Sequence, residues 1–198
     1  KTGGRYLTAD DGVPGHPVLD FVDKTKTTFT MIGHEPAGKR AIAPGDFIVV
    51  YNVGIDPADA YTGHNIARVT AFSTSDAAKG LYLITLDANP FAEQNPPMPS
   101  PGARFQVVGQ PVTYHCTKGA GGTGSISRQW DYGMAKDPPV ATAGSTSLLT
   151  QRVTDCKFDY STDANSRSAL AVLTLELESP GGAGRIKLVH QVHVDNTP

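Results

Sequence analysis

The C-terminal stretch ALAVLTLELE (169–178), with SPGGAG (179–184) and RIKLVHQVHV (185–194) after it, decides the fold. Apolar residues at every second position from 171 to 177 alternate with polar ones at 174, 176 and 178, which is the period of a strand with one apolar face. The glycines of the middle segment supply the positive φ angles that a tight turn needs. The stretch therefore predicts an antiparallel β-hairpin.

Strand-like runs continue upstream of this hairpin. They are rich in Val, Ile, Thr, Phe and Tyr and are bounded by Gly and Pro, and they cover 18–21, 27–32, 46–52, 66–73, 81–86, 104–115, 125–132 and 156–160. Two segments resemble short helices, 56–61 with an Asp cap and Pro at the first helical position, and 147–153. The chain is therefore predicted to be mainly β, with antiparallel sheets and one or two short helices.

Length favours one domain, because 198 residues are enough to bury a core. We therefore expect a single globular domain over residues 1–198. The alternative is two lobes joined near 91–102, where FAEQNPPMPSPG carries four prolines. An ordered surface loop explains these prolines better than a linker does.

The charge balance argues against a nucleic-acid binder. The chain has 17 basic and 19 acidic residues, and it shows no basic stripe of the kind that replaces counterions on nucleic acid. It also has no run of 18 apolar residues, the length that a membrane span needs. Since it begins at Lys1 without a charged and apolar leader, we expect an anchoring segment upstream.

The two cysteines, Cys116 and Cys156, are 40 positions apart at the ends of predicted strands. No further Cys stands at metal-ligand spacing, so the alternatives are a disulfide or two buried thiols. We favour the disulfide, which would stabilise the fold by about 4 kcal/mol in the loop-closure model. It indicates an oxidising compartment, the periplasm or the cell exterior.

Two glycine-rich segments resemble nucleotide-binding motifs. Segment 119–124 (GAGGTG) satisfies G-x-G-x-x-G, but the residues after it are predicted to form a strand, whereas the fingerprint needs a helix. Segment 33–39 (GHEPAGK) matches most of a P-loop, yet Arg40 replaces the Ser or Thr that binds magnesium. Both segments are predicted to be loops, with no nucleotide cofactor.

No catalytic or metal-binding set emerges from the remaining residues. His190 and His193 are three apart on a predicted strand and point to opposite faces. The acidic groups at positions 10–11, 56/59 and 159/163 fit turns better than a calcium loop, and no G-x-S-x-G elbow is present. We therefore expect no enzyme activity, no metal and no cofactor. Trp130 with Tyr132 is a candidate sugar-stacking pair, although a lone Trp in a strand is more often core.

A family resemblance runs over nearly the whole chain. Its C-terminal part lies in GARFQVVGQPVTYHC (102–116), ISRQWDYG (126–133), LLTQRVTDCKFDY (148–160) and RIKLVHQVHVDNTP (185–198), with GGRYLTADD (3–11) and PGDFIVVYNVGI (44–55) nearer the start. These segments resemble the periplasmic region of MSHA-biogenesis minor pilins of the MshO type, which are type IV pilin-like or pseudopilin-like proteins.

The resemblance implies a pilin-like, β-rich head that follows a long N-terminal helix anchored in the inner membrane. The chain has no counterpart of that helix, so we expect it in the full-length precursor. The implied function is pilus assembly or initiation in the periplasm or in the extracellular pilus, with other minor pilins and the assembly machinery as partners. The main alternative is an adhesive or carbohydrate-binding pilus-tip domain with a surface glycan as ligand, and a secreted β-sandwich hydrolase is a third reading without a visible carboxylate pair or triad.

Overall fold

The chain divides into two compact units, each built from antiparallel strands. The computed structural model describes residues 1–133, 144–162 and 168–195. Unit 1 comprises Lys1–Gln110, and unit 2 begins at Pro111. The chain is mainly β, as the sequence predicts.

The proline-rich segment 91–102 lies inside unit 1 and not between the two units. Its Phe91 side chain is fully buried in the core of unit 1. The Ser100 backbone N–H donates a hydrogen bond to the Tyr6 hydroxyl at 3.1 Å. The segment is an ordered loop packed on unit 1, and the boundary between the units falls after residue 110.

Unit 1 is a closed six-stranded antiparallel barrel with the strand order β1-β2-β5-β4-β3-β6. Its strands are β1 (Thr2–Tyr6), β2 (Thr28–Ile32), β3 (Phe47–Val49), β4 (Ile66–Asp76), β5 (Leu81–Leu86) and β6 (Arg104–Val108). Closure leaves no free edge in the barrel, and the inward side chains form one core. That core contains sixteen buried apolar residues, among them Phe29, Ile48 and Ile84.

The sequence of β1, TGGRY, is not typical of a strand because it contains two glycines, which have low strand propensity. A Cβ atom on Gly4 would come within 2.5 Å of the Phe105 ring and 3.1 Å of the Met31 sulfur. Phe105 in turn packs edge-on against Phe29, with ring centroids 5.7 Å apart. The close approach of β1 to these core side chains therefore requires glycine at this position.

Unit 2 is a five-stranded antiparallel meander with the order β11-β10-β9-β8-β7. Its strands are β7 (Thr113–Thr117), β8 (Gly124–Trp130), β9 (Ser145–Thr162), β10 (Ser168–Glu178) and β11 (Arg185–Asp195). The predicted C-terminal hairpin is β10 and β11, which pair without interruption over eleven residues each. Gly181 and Gly182 adopt positive φ in the connecting turn, as its sequence predicts.

The helix expected over 147–153 is wrong. These residues belong to β9, where Ser147 pairs with Arg128 and Val153 pairs with Gly124 of β8. A helix of seven residues gains too little from its own hydrogen bonds to compete with a ladder on a neighbouring strand. Strand pairing in unit 2 therefore overrides the local preference.

Three further predictions change in detail. Segment 18–21 is not a strand; it leads into a bend at 21–22, where the Asp20 carboxylate accepts the backbone N–H groups of Val22 and Asp23, each at 2.8 Å. The run 104–115 divides into β6 and β7, which belong to different units. In segment 56–61 the helical turn begins later than expected, with Asp59 as its cap.

Helical structure in the described residues consists of 3-10 turns three or four residues long. They are Ala9–Asp11, Gly38–Arg40, Ala60–Thr62, Ala77–Lys79, Pro90–Glu93, Pro101–Ala103, Ala120–Gly122 and Pro180–Gly182. Across the ranges 1–133, 144–162 and 168–195, no helix has the length and apolar character needed to cross a bilayer.

Candidate interaction surface

The two glycine-rich segments lie in turns. Segment 119–124 connects β7 to β8, and β8 begins directly at Gly124. The last glycine is therefore followed by a strand, whereas a pyrophosphate site of the dinucleotide type needs the N–H groups of a helix N-terminus. The P-loop-like segment ends in the three-residue turn Gly38–Arg40, which continues as a loop.

Cys116 on β7 and Cys156 on β9 form a disulfide, as the sequence predicts. Their Cα atoms are 6.6 Å apart. Cys156 packs with Ile126 and Val153 in the buried apolar cluster of unit 2. The bond therefore joins two strands that are separated by β8 in the sheet order, beside the only apolar cluster of buried residues that the described part of unit 2 contains.

Gly124 allows the backbones of β7 and β9 to approach β8 closely because it carries no side chain. A Cβ atom there would collide with the carbonyl oxygens of Thr117 on β7 and Val153 on β9. The Gly119 N–H also donates to the Val153 carbonyl at 3.2 Å, so the chain after β7 reaches across to β9. The end of β7, the start of β8 and the middle of β9 therefore approach one another closely around Gly124.

Trp130 and Tyr132, the candidate sugar-stacking pair, lie in two different environments. The Arg128 guanidinium lies 4.7 Å from the centre of the Trp130 ring, a cation–π arrangement that occupies one ring face. Tyr132 is buried, and its hydroxyl hydrogen-bonds to the Thr113 hydroxyl. Trp130 and Tyr132 therefore do not form an open pair of stacking rings.

Of the acidic positions highlighted in the sequence, Asp163 lies outside the described residues, while Asp11, Asp56, Asp59 and Asp159 have partners within the protein. Asp11 accepts hydrogen bonds from the Arg5 guanidinium at 2.6 Å and from Thr8. The bond from Arg5 makes the larger contribution, and together they lower the pKa of Asp11 to about 2. Asp56 lies 2.7 Å from the His64 ring, while Asp59 caps a turn. These carboxylates stabilise local structure.

No group of three His, Cys, Asp or Glu side chains comes together in the part of the chain that the structure describes. His190 and His193 occupy opposite faces of β11, since successive strand residues alternate. A pocket of about 300 Å³ in unit 1 is lined by residues 2–4 of β1, the end of β2 and the following segment 33–36, which includes His34 and Glu35, beside Arg40. Its lining contains no nucleophile paired with a base.

The main surface feature of unit 2 is one apolar face on β9, β10 and β11. Directly paired residues of antiparallel strands share a face. The register therefore forms four rows, each read from β9 through β10 to β11: Val153-Leu177-Ile186, Cys156-Leu175-Leu188, Phe158-Leu173-His190 and Tyr160-Ala171-Val192. We call these twelve positions the apolar face; it contains one histidine, His190.

Burial on the apolar face falls away from the disulfide. Val153 and Cys156 are buried, whereas six large apolar side chains are between 37% and 63% exposed: Phe158, Tyr160, Leu173, Ile186, Leu188 and Val192. The sequence predicted the apolar alternation of β10. It did not show that the register places aromatic residues of β9 and aliphatic residues of β11 beside Leu173.

The opposite face of the same strands is mostly polar and carries ion pairs, with Leu170, Val172 and Val189 as its apolar members on β10 and β11. Lys157 contacts Asp159 at 2.8 Å, and Lys118 contacts Asp155 at 2.6 Å. The hydrogen bond from Lys118 lowers the pKa of Asp155. Arg185 reaches Glu176 at 3.4 Å and also Glu178. The sheet is therefore amphipathic, with a solvated charged face and an exposed apolar face.

Neither a protein-family model, a curated protein nor a solved structure matches this chain.

Proposed function

We propose that this protein is the head of a type IV pilin-like minor subunit, which takes part in assembly or initiation of an MSHA-type pilus through subunit contacts. The observation that carries the proposal is the exposed apolar face of unit 2. Isolated exposed apolar residues are ordinary, but a contiguous patch on one side of an amphipathic sheet is typical of an interaction site.

The free energy available from covering this face is substantial. Six half-exposed side chains, at about 1 kcal/mol each, amount to roughly 6 kcal/mol when they are removed from water. That amount is comparable to the whole stability of a small domain. A covering element is therefore expected in the working form of the protein.

The dimensions of the face suit a helix. From Ala171 to Leu177 the face covers seven residues of β10, or six steps and about 20 Å, and three strands span about 10 Å. An α-helix with its side chains is about 10 Å wide and covers 20 Å with about 13 residues. In our proposal the N-terminal helix of the full-length precursor lies here and also anchors the protein in the inner membrane.

The disulfide supports the proposed location. Cys116 and Cys156 are both oxidised, a state that persists in the periplasm and outside the cell. The protein would work there without chemistry of its own, with other minor pilins and the assembly machinery as partners.

The experiment compares glutamate substitutions on and off the apolar face in the full-length precursor. Ile186→Glu and Phe158→Glu place a charge on the face, while Ile55→Glu is the matched control, since Ile55 is 70% exposed in unit 1 and Ile186 is 63% exposed. We expect the two face variants to lose pilus formation and co-purification with other minor pilins. The control should retain both.

Retention of assembly by both face variants would contradict the proposal. So would an equal loss in Ile55→Glu, because the effect would then be independent of the face. Normal assembly together with saturable glycan binding on an array would favour the adhesive alternative.

A further inference from the structure

We infer that the free edge of β11 pairs with β11 of a second copy of this chain, in an antiparallel and two-fold symmetric arrangement. This inference concerns the edge of the sheet and not its apolar face, so it does not rest on the proposed pilus function. β11 is the terminal strand of the sheet, and the side chains of residues 185–193 are all exposed.

The hydrogen-bond phase of the hairpin shows which backbone groups of β11 face outward. The Ser179 N–H donates to the Gly184 carbonyl at 2.8 Å, so this pair is hydrogen-bonded. Hydrogen-bonded and non-hydrogen-bonded pairs alternate along an antiparallel ladder. Residues of β11 with even numbers therefore bond to β10, and the backbone N–H and C=O groups of the odd-numbered residues point away: Arg185, Lys187, Val189, Gln191 and His193.

Side-chain hydrogen bonds on the other side of β10 agree with this phase. The Thr154 hydroxyl donates to the Glu176 carbonyl at 3.2 Å, and the Ser161 hydroxyl donates to the Leu170 carbonyl. The even-numbered carbonyls of β10 thus point toward β9. Its odd-numbered groups point toward β11, as the Ser179–Gly184 pair requires.

This edge carries only part of the usual protection against pairing. The β10–β11 register contains no bulge, and residues 185–193 contain no proline. Natural edge strands are commonly blunted by a bulge, a proline or an unpaired charge. The charge of Arg185 is already paired with Glu176 and Glu178 of its own chain, so Lys187 is the main remaining cation on the edge.

Pairing of two copies about Val189 satisfies the open backbone groups and keeps the two Lys187 side chains apart. The hydrogen-bonded pairs would be Val189 with Val189, Lys187 with Gln191, and Arg185 with His193. Between them, Ile186 would lie opposite Val192 and Leu188 opposite His190, so the apolar faces would continue across the junction. If one strand slid by four residues along the other, Lys187 would instead lie opposite Lys187 of the second copy.

The central residue provides a specific test. Val189→Pro removes an outward N–H from the edge and leaves the hydrogen bonds between β11 and β10 in place. In a two-fold pair both copies lose this donor, so we expect the dimer dissociation constant of the full chain, measured by analytical ultracentrifugation, to rise at least about tenfold. Val189→Thr keeps the N–H and should dimerise like the parent.

Phe158→Glu separates edge pairing from association through the apolar face. Edge pairing predicts that this variant remains dimeric while Val189→Pro becomes monomeric. The reverse pattern would overturn the inference. So would a parent chain that is monomeric at about 100 μM, because a dimer with a micromolar dissociation constant is formed almost completely at that concentration.

Cysteine cross-linking gives a readout that does not depend on the stability of the proline variant. Directly paired Cα atoms across a hydrogen-bonded pair are about 5.5 Å apart, within disulfide range. Val189→Cys should therefore form a disulfide-linked dimer by itself, whereas Lys187→Cys and Gln191→Cys should cross-link efficiently only when mixed. Efficient self-linking of Gln191→Cys, or no linking of Val189→Cys, would overturn the register.

Discussion

Reduction of the Cys116–Cys156 disulfide should destabilise unit 2 far more than unit 1. Among the residues that the structure describes, the buried apolar cluster of unit 2 holds three members, whereas that of unit 1 holds sixteen. The disulfide closes a sequence separation of 40 residues, which corresponds to about 4 kcal/mol in the loop-closure model. For a sheet with so small a core, this is a large share of a total stability of about 5–15 kcal/mol.

The single tryptophan makes the measurement selective. Trp130 lies on β8, so its fluorescence follows the unfolding of unit 2 in urea. At a slope of about 2 kcal/mol per molar urea, a loss of 4 kcal/mol lowers the Trp130 midpoint by about 2 M. The transition of unit 1, followed by circular dichroism after unit 2 has unfolded, should move little.

A variant with Cys116→Ala and Cys156→Ala is the control for side effects of the reductant, and it should behave like the reduced parent. A shift of the Trp130 midpoint below about 0.5 M would refute the reasoning, because the apolar cluster and strand pairing would then suffice without the cross-link. Equal shifts of both transitions would refute its assignment to unit 2.

Two further substitutions test local features of the fold. Gly124→Ala should destabilise unit 2 by about 1–3 kcal/mol, because the new Cβ would meet backbone oxygens that cannot move aside. Gly184→Ala is the control, since there is open space around Gly184, and it should have little effect on the Trp130 transition. The hydrogen bonds from Lys26 and from two backbone N–H groups lower the pKa of Asp20 from 3.8 to about 2. The stabilisation that ionised Asp20 gives to the folded state is therefore fully present above pH 3.8, and it is lost as the pH falls through 2. Asp20→Asn should therefore lower the urea midpoint of unit 1 at pH 7 and change it much less at pH 2; an equal change at both pH values would exclude this linkage.

Local sequence pattern determined much of the strand content. Segment 81–86 became β5 (Leu81–Leu86), and the C-terminal hairpin appears as β10 and β11. These segments combine β-branched and aromatic residues with clear boundaries, so propensity and pattern agree with the tertiary structure. The two cysteines were identified as a disulfide from their strand-end positions and the shortage of metal ligands.

Other elements depend on neighbours that are distant in the sequence. β1 carries two glycines that its own propensity disfavours, and the approach of Phe105 explains Gly4. Segment 147–153 prefers a short helix locally but is held in β9 by pairing with β8. In both cases non-local packing outweighs a local preference of about 1 kcal/mol or less per residue.

The sequence by itself determined that unit 2 contains a strand with one apolar side, but only the tertiary structure decided which residues share that side and whether it is covered. Alternation along β10 is the same for a fully buried face and for an exposed one. The pairing register then places Phe158 and Leu188 in the rows of β10, and neither pairing nor exposure is encoded within a single strand. The candidate interaction surface exists because three separate strands align their apolar sides, a property of the sheet as a whole.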